Sequence, residues 1–256
     1  MVRTLSMIAT ERVKSGEWLP PWTLAEHEAR YAFASRFVRG LAVVDCASGN
    51  GNGAAVFLRS EPASLVGFDV DQEAVDAASA TLGSDHVFFR RAQATALPAG
   101  DATADVFISL ETVEHVEDDR AFLGEVARVL KPDGLFISST PNRSVTNPGT
   151  GLADRPWNPF HVREYTPLEY LDLLTERFEV VGWYGQNRTA GAKVRWLEWI
   201  AGIFGPKVAV RINQAWKCRW FLVAGGAVHA VTESAPDRHD EYMVVVCRPN
   251  AKQPDR

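Results

Sequence analysis

The chain has 256 residues, 46% of them apolar and 23% charged, which is enough for one substantial core and ordinary for a water-soluble globular protein. Its net charge of −5 excludes a general attraction to nucleic acid. The longest apolar run, residues 221–228, is far shorter than the ~20 residues of a membrane span.

The first 20 residues carry no strong pattern, and Arg3, Glu11, Arg12 and Lys14 argue against a signal peptide. Residues 24–38 have helical spacing and end at Gly40. A short apolar strand is expected over 41–46, followed by a glycine-rich turn and a helix from Gly53 to Arg59. Strands over 64–70, 86–90, 104–110 and 135–140 then alternate with helices over 72–82 and 120–130. Residues 141–165, rich in Pro, Asn and Arg, read as a long loop. A helix over 167–178, a strand over 179–186, a partly helical insertion over 187–235 and a last strand over 241–248 complete the pattern, with a polar tail beyond Pro249. Strands alternating with helices predict an α/β, Rossmann-like fold: seven strands, mostly parallel, with the insertion before the last strand. All 256 residues form one domain in this reading.

Cys46, Cys218 and Cys247 are far apart and form no C-x-x-C pair. Neither zinc nor a disulfide framework is implied, and the three read as reduced thiols of a cytosolic protein.

The strongest chemical signal is VVDCASGNGNGAA, residues 43–55. Asp45 ends the first strand, and Gly49, Gly51 and Gly53 let the backbone approach a ligand closely. Asp69 ends the second strand, where a carboxylate can accept both ribose hydroxyls of an adenosine. Gly49-x-Gly51-x-x-Ala54 also fits a dinucleotide fingerprint. An acid there repels a diphosphate but attracts a ligand carrying a sulfonium and an ammonium, which favours S-adenosylmethionine (SAM) over NAD.

With these residues in view, the chain resembles the class I SAM-dependent methyltransferases over about residues 24–186 and the closing strand. VVDCASGNG is similar to the first family motif, with Ala47 at its usual second glycine and Ser48 at its frequent cysteine. VGFDVD resembles the second, and RRAQATALP the adenine segment, with Gln93 at the usual aspartate. SLETVEHVEDD and VLKPDGLFISSTPNR resemble the motifs of the fourth and fifth strands. The resemblance implies SAM as cofactor. Tyr31, Asp45, Ala47, Gly49, Gly51, Asp69, Val70, Gln93, Ala94, Leu110 and Glu111 would be its binding residues. It also places Arg30 and Tyr31 over the SAM carboxylate; the residues alone equally allow a solvated Arg30 and a core Tyr31. EHEARYAFASRFVRG and NPFHVREYTPLEYL resemble bacterial enzymes that modify glycans and sugars.

Methyl transfer from a sulfonium needs alignment, and a weakly acidic hydroxyl benefits from a base. Histidine, with an ordinary pKa of about 6.5, suits that task. His115, just after the fourth strand, and His161, in the 158–171 segment, are the candidates; His27 is a weaker one. Glu111, Glu114, Glu117, Asp118 and Asp119 are close enough in sequence to raise a metal site, but acids before a helix are expected from capping, so no metal is expected.

Residues 187–220 hold seven Lys/Arg against one acid, and four of the eight tryptophans. Such a segment suits a phosphate-bearing acceptor, an anionic lipid surface, or a solvated basic face with Trp in a core or dimer contact. The expected acceptor is a small molecule or glycan hydroxyl. A phenol or quinone precursor, or a SAM-binding module that transfers nothing, are the alternatives.

Overall fold

β-Branched and aromatic runs make the parallel half of the sheet. The computed structural model describes residues 21–224 and 230–250. β1 (Ala42–Cys46), β2 (Ser64–Asp69), β3 (Val87–Arg91), β4 (Ala104–Leu110) and β5 (Leu130–Pro141) pair in parallel in the order β3-β2-β1-β4-β5. Successive residues point to opposite faces of the sheet, so each strand feeds two cores. Val44, Phe107 and Phe136 enter one core; Val43, Val106, Ile108 and Ile137 enter the other. Helices α1 (Pro21–Ala34), α2 (Asn52–Leu58), α3 (Gln72–Leu82) and α4 (Asp119–Val129) connect or flank these strands. Asp71 caps α3 by accepting the Glu73 N–H at 3.0 Å, and Asp118 caps α4 by accepting the Ala121 N–H at 2.8 Å.

The rest of the sheet is antiparallel. α5 (Arg143–Thr146) and α6 (Pro167–Thr175) lead into β6 (Phe178–Arg188). β8 (Asp240–Pro249) inserts between β5 and β6 and runs against both, and β7 (Thr232–Glu233) borders β6. The sheet therefore has eight strands, not seven. The extra one is β7, two exposed residues in a polar stretch too short to show alternation. Two other expectations change. β5 starts at Leu130 rather than 135, because Leu130 pairs with Ala104 across an irregular register. The expected 141–165 loop contains α5, whose start is fixed by Asn142 accepting the Ser144 N–H at 3.0 Å.

The insertion folds as two helices, α7 (Gly191–Phe204) and α8 (Pro206–Ala224), joined at Gly205 with φ +88°. Val194, Leu197, Ile200 and Ala201 are the buried side of α7. Ala201 packs on Gly149, and the Asn213 side chain donates to the Val145 carbonyl at 2.7 Å, so the hairpin rests on the segment that follows β5. Cys46 and Cys247 are buried free thiols. Residues 1–20, His229, the tail from 251, and the side chains of Lys217, Cys218, Arg219 and Trp220 lie outside the described residues. Among the described residues, no helix is long and apolar enough to cross a membrane.

Candidate functional site

The strand order reverses direction between β1 and β4, and ligands of open α/β sheets bind at that switch, off the carboxyl ends of the strands. The glycine turn leaves β1 there. Ala47, Gly49 and Gly51 all have positive φ, at +64°, +52° and +82°. Ala47 holds this left-handed conformation despite its Cβ, at a cost of about 1–2 kcal/mol. Gly51 has a further constraint: a Cβ there would lie 2.8 Å from Leu82 Cδ1 and 3.2 Å from Ala78 Cβ.

Asp45, the last residue but one of β1, is buried, and its Oδ2 has no hydrogen-bond partner. Burial, and then the neighbouring Asp69, push the Asp45 carboxyl up to about 7. Asp69 ends β2; its Oδ2 accepts the Gly49 N–H and its Oδ1 the Asp71 N–H, both at 2.9 Å. The two carboxylates thus share the floor of the turn, and one carries an unsatisfied oxygen. A cation beside Asp45 would satisfy that oxygen and reverse the cost of its charge. These residues fit the ammonium end of SAM.

Tyr31 of α1 covers the turn. Its ring carbons are 3.1 Å from where a Cβ on Gly53 would sit, and its edge meets Phe57. Burial, then the Asp45 charge, raise its phenol to about 12. Arg30 is not solvated: it is 1% exposed, donates from Nη1 to Gln186 Oε1 at 2.6 Å and lies 4.4 Å from the Tyr242 ring centre. Burial opposes the guanidinium charge, but Glu111, Tyr242 and Glu26 together outweigh it and raise its pKa. Glu111, 3.9 Å from Arg30 Nε, has φ +53° and is held by Ser139, whose hydroxyl donates to Glu111 Oε1 at 2.6 Å. Leu110 and Ala94 are half-buried; Val70 and Gln93 are exposed at the rim, with Gln93 in a tight turn to Ala96.

A second polar group forms after β4. His115 and His161 come from different loops, and their rings meet edge to face with centroids 4.9 Å apart. The Val162 N–H donates to the Glu114 carbonyl at 2.8 Å and ties the two loops together. His161 is buried, and both ring nitrogens are engaged. Asn158 Nδ2, a donor, lies 3.0 Å from Nε2, so Nδ1 carries the proton and donates to Glu164 at 2.6 Å. Glu164 also accepts from Asn147 at 2.6 Å and from Thr146. His115 Nδ1 lies 3.0 Å from the Phe160 carbonyl, which only accepts, so that nitrogen bears the proton and Nε2 is the basic one. His27 lies beside Tyr31, while His86 is exposed at the opposite edge, before β3.

Ligand atoms of Glu114, His115 and His161 lie within 4.8 Å of one another, a grouping that the sequence reading did not single out. The occupied nitrogens of His161 argue against a metal there. Asp118 caps α4, and Asp119 accepts from Arg163 at 2.6 Å and Tyr165 at 2.8 Å, so these acids have structural work. Sequence reasoning also missed Glu164 and Gln186. The His161-x-x-Glu164 spacing was a readable signal for the first; the contact of Gln186 with Arg30 crosses 156 positions and left none.

Residues 44–138, from β1 into β5, match the methyltransferase domain family. That segment is similar to methyltransferase domains. A protein of Mycolicibacterium smegmatis named "Probable S-adenosylmethionine-dependent methyltransferase" is 35% identical over 166 residues, covering 64% of this chain and 62% of the relative. A ubiquinone biosynthesis O-methyltransferase of Paramagnetospirillum magneticum is 36% identical over 127 residues, covering 47% of this chain and 48% of its own length. The chain thus spans between about half and three fifths of the length of these curated relatives. Among solved structures, the [4+2]-cyclase SpnF aligns over 92% of this chain and 87% of its own, with TM-score 0.60 and 20% identity. A SAM-dependent methyltransferase of Mesorhizobium loti aligns over 87% and 99%, with TM-score 0.57 and 17% identity. These two likenesses show the fold alone, α/β and Rossmann-like.

Proposed function

We propose that the chain is a SAM-dependent O-methyltransferase acting on a hydroxyl of a small molecule, a sugar or glycan. The observation that carries the cofactor half is the buried Asp45 carboxylate, with an oxygen left without a partner, beside the left-handed Ala47, Gly49 and Gly51 of the turn. That charge suits a methionine ammonium and repels a dinucleotide diphosphate. Gly49 and Gly51 keep the backbone low, and Asp69 retains lone pairs to accept ribose hydroxyls beyond its two backbone donors. Val70, Gln93 and Ala94 border the adenine, Leu110 and Glu111 flank the methionine portion, and Tyr31 closes over it.

Bound SAM supplies a methyl group on a good leaving group, so the chain's task is alignment, exclusion of water and removal of one proton. His115 Nε2 takes the acceptor's hydroxyl proton. His161 is a positioning residue: fixed by Glu164 and Asn158, it sets the 158–164 segment and buttresses the His115 ring. A second reading, a phenolic quinone precursor as acceptor, is supported by the relatives named ubiquinone biosynthesis O-methyltransferases.

Calorimetric titration with S-adenosylhomocysteine and with NAD tests the cofactor. Binding of the first alone supports the reading; binding of NAD alone overturns it. Turnover of sugar hydroxyls, of catechols or of neither then separates the two acceptors from a module that binds SAM without transfer.

A further inference from the structure

The two-helix insertion carries an apolar and basic face that includes none of the candidate cofactor residues or histidines. On α7, Arg195, Trp196, Trp199 and Ile203 recur at helical spacing on the side opposite the buried Leu197 and Ala201, and Phe204 follows at the helix end. Trp199 is 59% exposed and Phe204 62%. Large apolar groups grouped in this way mark an interaction surface. α8 continues it: Trp216 stacks flat on Trp196, centroids 5.1 Å apart, with Lys193 Nζ 5.6 Å from the Trp216 ring. The Arg211 guanidinium lies 6.0 Å from the ring of Trp157, an exposed residue of the loop that leads to His161.

Charge indicates what covers this face. Lys193, Arg195, Lys207 and Arg211 surround it against the single acid Glu198, in a protein of net −5. A second copy docked face to face would set these cations against one another. An anionic bilayer meets both features: its phosphates attract Lys and Arg, and its headgroup boundary accommodates Trp, Ile and Phe. We propose that the α7–α8 face is a docking surface for anionic phospholipid bilayers, one that brings the loop ahead of His161 close to the membrane. This goes beyond the methyl-transfer reading and stands or falls separately from it.

The test is co-sedimentation of the full chain with sucrose-loaded vesicles, made either of phosphatidylcholine alone or of phosphatidylcholine mixed with phosphatidylglycerol. The expected result is at least ~10-fold stronger binding to the anionic vesicles, weakened by salt and accompanied by a blue shift of tryptophan emission. Trp199→Glu combined with Phe204→Glu should lower that binding by at least about tenfold, with circular dichroism and S-adenosylhomocysteine binding unchanged. Arg195→Glu with Lys207→Glu should do the same through charge, and the salt titration needs no variant. No sedimentation with either vesicle, equal binding to the neutral one, or binding untouched by both double variants overturns the proposal. A dimer in solution that the Trp199→Glu, Phe204→Glu protein loses also overturns it.

Discussion

Replacing Asp45 with asparagine should change how the protein responds to pH more than how it folds. Asp45 titrates near about 7 because burial and Asp69 oppose its charge, whereas an unfolded aspartate titrates near ~3.9. Between those values the folded chain holds a proton that the unfolded chain has released. Stability of the ligand-free protein therefore falls as pH rises through that window and levels off above about 7. For this one group, linkage puts the loss between pH 5 and pH 8 at about 2–3 kcal/mol. Asp45→Asn cannot ionise, so its own curve should lack that component. Denaturant unfolding of both proteins at pH 5 and pH 8, without ligand, reads the difference directly. Ligand should act in the opposite sense. The ammonium of S-adenosylhomocysteine favours the carboxylate, so wild-type affinity should rise about tenfold from pH 6 to pH 8 with release of a proton. The variant should bind weakly and without that slope. A stability difference between the two proteins that stays constant from pH 5 to pH 8 would refute the reasoning.

Ala47→Gly should raise stability by roughly 1 kcal/mol, because a left-handed alanine loses its steric penalty, and thermal unfolding would show it as a rise of a few degrees. Gly67→Ala should destabilise by about 1–3 kcal/mol, since its Cβ would run into the Phe89 ring and come 2.9 Å from Ser48 Oγ; a neutral result would mean that β3 shifts freely. His115→Gln should lower kcat by roughly 10²–10⁴ with S-adenosylhomocysteine affinity unchanged. His161→Ala should instead cost about 1–3 kcal/mol of stability, because Glu164 loses a buried donor, so the two histidines separate by kinetics against unfolding. Chelation of divalent ions should leave turnover unchanged; loss on chelation and recovery with a metal would show that Asn158 yields the His161 nitrogen to an ion.

Elements set by local chemistry were readable in the sequence. α3 and β4 fall on the residues that the sequence marks, 72–82 and 104–110, because a capping Asp71 starts the first and a largely apolar run, interrupted only by Asp105 and Ser109, defines the second. The glycine turn after β1 was readable as a turn because Gly49 and Gly51 sit where left-handed backbone is required, and even Ala47 keeps that conformation. Features decided by distant partners were not. β7 exists only because β6 offers it an edge, and α5 exists because Asn142 caps a turn inside a segment that looked irregular. For Arg30 the sequence left a solvated helix position and a place over the cofactor carboxylate equally open; it is buried because Gln186 and Tyr242, more than 150 positions away, receive it. The histidines were legible as types, but their division of labour rests on which nitrogen each neighbour occupies, and no sequence pattern carries that.

The placement of β8 has a consequence for how the chain is made. β5 and β6 share no ladder; each is paired with β8, whose residues Asp240–Pro249 follow both in the sequence. Until they emerge from the ribosome, the five parallel strands present a bare edge at β5, and β6 has only the two residues of β7 to lie against. The growing protein therefore carries an unpaired strand edge from the completion of β5 at Pro141 until β8 is made, a window in which chaperone capture and self-association compete with folding.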